Sequence, residues 1–417
     1  MARNQFRIIV GSYEHNILCL SLDLSPETAL FTPIFHFQAH ALSVKCLDIS
    51  KRYLVSGSND EHIRIYDLQK RKELGTLLAH QGSITSLKFS KSRSKALSLT
   101  TEDNEKEVVE GESSGNKWLL SASEDNKIII WRVKDWENYG SLKGHTARIN
   151  DVDIHPSNRV AVSVSDDHSI RLWNLMTVKK AAVLKLRKYP QNGQFVRWIG
   201  PNGDYFAVAL MTKILLFKTS TAKVVYEIDT VRNTLMHMEV ETIDDKEYLI
   251  VGLNNGIVNF YSTELMITES EKEEEEEEEE KEAGGKEAKE PMEPVFSLLG
   301  HTNRIKDFKF YTNEFNKYLV TIGSDGRVVV WDMKTKDQVA VYDCGERLNC
   351  IALCDETVEK YDTMKRRLMD PIELGEQSEV ESDTEELKNV MFGTQKKQKN
   401  KKNNKKNKKQ KVTIELE

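Results

Sequence analysis

Apolar and polar residues alternate with a period of two through most of the first 354 positions, in short runs separated by turn-forming clusters. The clearest stretch is residues 144–175, GHTARINDVDIHPSNRVAVSVSDDHSIRLWNL. Within it VDIH, VAVSV and SIRLW send successive side chains to opposite faces, the pattern of half-buried strands. His-Pro-Ser-Asn and Asp-Asp-His-Ser stand between the runs and supply turn chemistry. The pattern therefore predicts short antiparallel strands joined by tight turns.

Particular residues recur in register with these strands. His145, Ser163, Asp167 and Trp173 mark the stretch above, with serine four residues before aspartate and tryptophan six after it. The same offsets appear in His40, Ser56, Asp60 and Tyr66; in His80, Ser121, Asp125 and Trp131; and in His301, Thr321, Asp325 and Trp331. Four matches at a period of about forty residues point to a β-propeller. Gly144-His145, Gly300-His301 and Trp331-Asp332 resemble the landmarks of the WD-repeat family. Serine, histidine and aspartate are also the parts of a hydrolase triad. A nucleophile is needed once, at a pocket, and not in every repeat. The tetrads are expected to be buried hydrogen-bond chains that fix each blade.

The expected fold is all-β: a seven-bladed WD-repeat propeller over residues 1–354. FRIIVGSYEHNILCLSL near the start reads as the second and third strands of a blade whose inner strand is missing. LNCIALC, residues 348–354, supplies it from the other end and closes the ring. Three blades begin at His40, His80 and His145, and the seventh begins at His301. Residues 186–216 and 235–261 fill the fifth and sixth places without a tetrad.

Charge changes this picture only outside the strands. The 417-residue chain has a formal net charge of −6, which hides a glutamate run at 273–280 and a lysine-rich run at 395–411. Two insertions, at about 90–117 and 262–294, are polar and expected to be disordered. One joins first and second strands and the other third and fourth, so both open on the face opposite the histidine and aspartate turns. The acidic run fits either a mimic of nucleic-acid charge that docks a basic protein or a solvated spacer. Residues 355–371 are predicted as a short helix stopped at Pro371, and 372–417 as a charged, largely disordered tail. In the tail, Ser378, Ser382 and Thr384 precede acidic residues and are candidate phosphorylation sites. Lys396, Lys397, Lys401, Lys402, Lys405, Lys406, Lys408 and Lys409 are candidate RNA contacts, because lysines that neutralise phosphates release condensed counterions. No aromatic residue interleaves them, so base readout by stacking is not expected.

The five cysteines, Cys19, Cys46, Cys344, Cys350 and Cys354, form no Cys-x-x-Cys pair and are expected to fill apolar positions in a reducing compartment. No metal, cofactor or catalytic residue is expected. No apolar run approaches the roughly 20 residues that cross a bilayer, and the first residues carry no secretory core, so an intracellular protein without membrane contact is expected. The clear rim should bind partners. Its candidates are Asn59, Glu124, Asp166 and Ser324, one before each tetrad aspartate, and Ser43, Ser83, Arg148 and Arg304, three after each histidine. Arg148 and Arg304 stand out, because guanidinium groups favour bidentate contact with carboxylate or phosphate.

The order of blades, the opening IIVGSYEHNILCLSL, the motif SGSNDEHIRIYDLQKRKELGTL and the closing ESDTEEL before the lysines resemble the PAK-interacting and maintenance-of-killer family of WD-repeat proteins. The resemblance spans essentially the whole chain. It implies a nucleolar and nuclear factor for assembly of the large (60S) ribosomal subunit, a monomer within a large pre-ribosomal particle. There it would work beside ribosomal-protein-like and other assembly factors on precursor rRNA. The alternative it implies, from the animal relatives, is a signalling adaptor that restrains a PAK-type protein kinase.

Overall fold

Each hydrophobic run forms a strand, and the strands assemble into seven antiparallel four-stranded sheets. This is a seven-bladed β-propeller, described here from a computed structural model over residues 4–25, 28–91, 117–230, 233–269 and 292–359. Blade one is the shared blade. Leu348–Asp355 is its inner strand and pairs antiparallel with Gln5–Ser12, from Arg7 opposite Cys354 to Gly11 opposite Cys350. The inner strands of blades two to seven are Val44–Ser50, Ile84–Phe89, Ile149–Ile154, Phe195–Ile199, Leu235–Ile243 and Ile305–Thr312.

The period of two decides where the core lies. Alternate residues of one strand face opposite neighbours: Phe6, Ile8 and Val10 pack toward blade seven, and Ile9 packs toward blade two. The apolar core is thus divided into seven clusters, one at each blade–blade junction. Burying both faces of every sheet leaves only short edges exposed. Cys19, Cys350 and Cys354 are buried in the junction between blades one and two, all as free thiols.

Blades one, five and six close without the tetrad. Register places Val208 and Phe217 of blade five where blade four has Ser163 and Trp173, since Phe206 opposes Phe217 as Ala161 opposes Trp173. Phe217 stacks on Phe206 with ring centroids 5.0 Å apart. Apolar packing here replaces a hydrogen-bond chain.

Two boundaries differ from the sequence expectation. Within the insertion at 262–294, residues 263–269 form a short helix, with Met266 buried and Ile267 packed against the junction of blades five and six. The dense glutamates that follow hide this short apolar anchor in the sequence. The chain also stays on the propeller past residue 354. A 3₁₀ turn covers Glu356–Val358, and Glu356 and Glu359 both bind the buried Arg7, at 2.9 Å for the Glu356 contact. Arg71 of blade two joins Glu359 as well. The rest of the expected helix at 360–371 lies outside the described residues. So do 92–116 and 270–291 of the insertions, the candidate phosphorylation sites and the lysine-rich run.

Candidate partner-docking face and the buried polar systems beneath it

Each tetrad is a directed chain of hydrogen bonds. In blade four Trp173 Nε1–H donates to Ser163 Oγ at 2.8 Å, the hydroxyl meets His145 Nε2 at 2.8 Å, and Nδ1 meets Asp167 Oδ2 at 2.9 Å. Burial lowers the pKa of His145 despite the neighbouring carboxylate. The imidazole is therefore neutral, and the one consistent assignment has Nδ1–H donating to aspartate and Nε2 accepting from serine. Asp167 also accepts the Thr146 N–H at 3.1 Å and the Ser169 N–H at 3.0 Å. Burial alone would raise this carboxyl, but the donors of Ser169, His145 and Thr146 hold it at about 2.

Blades three and seven repeat the chain, with Trp131 to Ser121 at 2.9 Å and Trp331 to Thr321 at 3.2 Å. Their histidines make the same two contacts: His80 to Ser121 and Asp125, His301 to Thr321 and Asp325. Blade two keeps His40 on Ser56 at 2.7 Å and on Asp60 at 3.0 Å. Tyr66 is the exception. Its hydroxyl is buried beside Ser56 but short of a regular hydrogen bond, and burial pushes the phenol up to about 12. Every tetrad serine or threonine hydroxyl is inaccessible and committed, so a repeated structural chain fits these residues and a nucleophile does not.

The tetrads also shape the rim. The residue after each aspartate is left-handed: Glu61, Asn126, His168 and Gly326, with φ of 69°, 65°, 53° and 79°. The aspartate Oδ1 holds this turn by accepting the N–H two residues on. The eight rim positions singled out in the sequence form four backbone pairs. Asn59, Glu124, Asp166 and Ser324 each donate their N–H to the carbonyl of Ser43, Ser83, Arg148 and Arg304 respectively, at 3.0–3.2 Å. Their side chains divide into two groups. Asn59 Nδ2 donates to the buried Ser43 Oγ at 2.8 Å, and Asp166 accepts from Asn150 and Asn192, so both are tied into the turn. Arg148 and Arg304 are exposed, but neither is idle. Arg148 pairs with Glu124 of the next blade at 3.0 Å, and Arg304 Nε donates to Ser324 Oγ at 3.2 Å.

A second polar system runs round the axis, and sequence reasoning missed it. Glu239 of blade six accepts from Arg197 Nε of blade five at 3.0 Å, from Lys88 Nζ of blade three at 3.4 Å and from Lys309 of blade seven. Burial alone would raise this carboxyl, but Arg197, Lys309 and Lys88 outweigh it and hold it well below the usual carboxylate range. Inner-strand aspartates then stitch three pairs of neighbouring blades together. Asp48 accepts the Phe89 N–H at 2.6 Å, Asp153 the Trp198 N–H at 3.0 Å and Asp307 the Ile351 N–H at 3.0 Å. Asp48, Lys88, Asp153 and Lys309 each stand eight residues after the tetrad histidine, and Arg197 and Glu239 hold the same register in the blades without a tetrad. That repeated charge at an otherwise apolar inner strand is the signal that could have found them, and Asp307 lies two residues earlier in its strand. Among the described residues, no group of three or more histidine, cysteine, aspartate or glutamate side chains could hold a metal ion.

Seven blades, four of them held by a chain of histidine, serine or threonine, aspartate and an aromatic residue, define a WD-repeat propeller. The profile of the family described as "WD domain, G-beta repeat" matches residues 31–67, 112–132, 136–174 and 292–332. Each segment ends one residue past a tetrad aromatic: Tyr66, Trp131, Trp173 and Trp331. At the level of whole chains, "Protein MAK11" of Saccharomyces cerevisiae is 63% identical over 100% of this chain and 99% of its own. A "p21-activated protein kinase-interacting protein 1-like" of Gallus gallus is 29% identical, with 78% of this chain and 72% of its own covered. "Shk1 kinase-binding protein 15" of Schizosaccharomyces pombe is 25% identical over 91% and 95%. The chain belongs to the WD-repeat family of MAK11 and PAK-interacting protein 1.

Proposed function

We propose that the chain is a non-catalytic assembly factor of the large ribosomal subunit, acting in the nucleolus. The propeller rim docks protein partners, and the lysine-rich run at 395–411 engages precursor rRNA. The observation that carries this reading is the full-length correspondence with MAK11, which spans the basic run as well as the propeller. The family resemblance implies the ribosomal role, and the chemistry fits it. A rigid ring offers a wide docking surface, and a run of lysines neutralises phosphates at any sequence.

The second reading is restraint of a PAK-type kinase, favoured by the names of the animal and Schizosaccharomyces pombe relatives. Charge on the basic run separates the two. Neutralising Lys396, Lys397, Lys401, Lys402, Lys405, Lys406, Lys408 and Lys409 to glutamine should release the tagged full-length protein from large-subunit precursors in a gradient. It should also flatten the salt dependence of RNA binding. The double change Arg148→Glu and Arg304→Glu should weaken the same co-sedimentation with an unchanged melting curve. Unaltered co-sedimentation of both variants, together with inhibition of a PAK-type kinase, would select the second reading.

A further inference from the structure

The rim above blades seven and one carries cations that nothing in the ring neutralises. The loops entering their inner strands bring Arg304 and Arg347 to the wall of one concavity of about 380 Å³. Asn254, Asn303 and Ser324 complete its lining with neutral donors and acceptors. Lys306 follows Arg304 at the start of the inner strand and is half-buried. Burial, together with Arg304, Lys45 and Arg347, pushes its ammonium down to about 8.

Elsewhere in the molecule cations meet carboxylates: Arg148 meets Glu124, Arg197 meets Asp151, and Arg7 meets Glu356. Among the described residues, none of Lys45, Arg304, Lys306 and Arg347 has a carboxylate within 4.0 Å. The acids nearest in sequence are already engaged. Asp307 accepts the N–H groups of Phe308 and Ile351, Asp48 those of Ile49 and Phe89, Asp325 serves His301 and Thr302, and Glu346 serves Asn16 at 2.9 Å and His36 at 3.1 Å. Tyr13, 54% exposed, lies under Arg347 with the guanidinium carbon 5.4 Å from the ring centroid, which steadies that side chain at the edge of the concavity.

We propose that this mouth binds an acidic peptide segment of a partner protein, with Arg304 and Arg347 clamping its carboxylates and Lys306, which feels both guanidinium groups, adding attraction beside them. This deepens the docking role given to the rim above by naming the partner's chemistry. Two features favour a peptide over RNA. The positive charge is gathered at one concavity of about 380 Å³, with Lys306 half-buried, rather than strung along a track that a phosphate backbone could follow. Asn254, Asn303 and Ser324 offer the neutral donors and acceptors that peptide amides need.

The test uses the full chain and a site-resolved readout, so that the lysine-rich run cannot obscure it. Limiting acetic anhydride is applied at a pH of about 7.5, where ordinary lysines are almost wholly protonated, and acetylation is read at each lysine by mass spectrometry. An octaglutamate peptide at about ten times its dissociation constant should slow acetylation of Lys306 by about tenfold, since only the unliganded fraction reacts. An octauridylate of equal charge should leave Lys306 unchanged, and the surface substitutions Arg304→Ala with Arg347→Ala should abolish the peptide's protection. Equal protection by the uridylate would assign the site to RNA and overturn the proposal, as would no protection by either probe. Protection that survives the double substitution would overturn it too. Lys306 already shielded without peptide, and exposed when residues 273–280 are changed to glutamine, would make the chain's own acidic run the occupant and reject a partner. Each of these failures leaves association with the pre-ribosomal particle to be judged by sedimentation, so the two readings fall separately.

Discussion

The propeller contains two buried polar systems, and they are built on opposite plans. The tetrads are local. Each lies within one blade, and each repeats its hydroxyl residue, aspartate and aromatic at fixed offsets. Three of the four satisfy all their members in one line, as Trp173, Ser163, His145 and Asp167 do. The axial system is global. Glu239 alone joins blades three, five, six and seven through Lys88, Arg197 and Lys309. A tetrad therefore specifies the shape of a blade, whereas the axial network specifies which blades stand together. Loss of a member should be felt within one blade in the first case and around the ring in the second.

The largest expected effect follows from that difference. Glu239→Ala leaves Arg197, Lys309 and Lys88 facing one another in a buried site, and breaking a buried ion pair in this way costs about 3–5 kcal/mol. Urea unfolding should show the loss in the transition midpoint, with added sensitivity to salt. Changing Glu239 and Arg197 together to a leucine and a methionine should recover part of it, because it removes one of the three stranded cations and leaves Asp151 to face Lys88. An unchanged midpoint for Glu239→Ala would show that the axial charges are solvated and independent.

This contrast also explains how much could be read from the sequence. The tetrads were legible because repetition turns a weak local signal into a register, and the register fixed the strand pairs and turns around it. The ring closure was legible from LNCIALC at one end and FRIIVGS at the other, since each lacks a partner without the other. Glu239 was not legible. Its partners lie 42, 70 and 151 residues away. Lys88 and Lys309 repeat eight residues after their tetrad histidines, but which of these charges meet follows only from closing the ring. Lys45, Lys306 and Arg347 were missed for the same reason, because only closure of the ring brings the strands of blades seven, one and two together. Met266 was missed because one buried methionine ahead of a glutamate run carries no periodicity.

A smaller effect is expected inside one blade. Ser163→Val removes the hydroxyl shared by His145 Nε2 and Trp173 Nε1 and should cost about 1–3 kcal/mol, the penalty of leaving buried polar groups bare. Blade five indicates the remedy, since Val208 and Phe217 close the equivalent position with apolar contacts. Adding His145→Leu and Trp173→Phe to Ser163→Val should therefore restore part of the lost stability. A triple variant weaker than the single one would show that the tetrad is specific to its blade and that the two blade types are not interchangeable. Melting temperature and urea midpoint both report the outcome.

The smallest effect separates the two systems by pH. His40, His145 and His301 are held below the ordinary histidine pKa, in each case by burial, with the tetrad aspartate only partly opposing it. The unfolded chain then binds more protons than the native state once the pH drops below about 6.5. Stability contributed by the neutral imidazoles is complete above that value and declines as the pH falls through the lower native pKa values. Glu239 and the tetrad aspartates, also depressed, act with the same sign, but only below the ordinary carboxylate range near 4. The interval between pH of about 6.5 and about 4.5 is thus set chiefly by the histidines, opposed by Asp48, whose carboxyl burial raises above its ordinary value. His155, lowered by burial as well, adds to the same slope. The triple apolar variant of blade four removes one contributor, so its unfolding free energy should fall less steeply across this interval than the wild type's, by at most about 1.4 kcal/mol per pH unit. Glu239→Gln should leave the slope there untouched and change it only below. Equal slopes for the wild type and the triple variant would mean that native His145 takes up its proton no lower than the unfolded chain does, and the bond between His145 and Ser163 would have to run from Nε2–H to the hydroxyl.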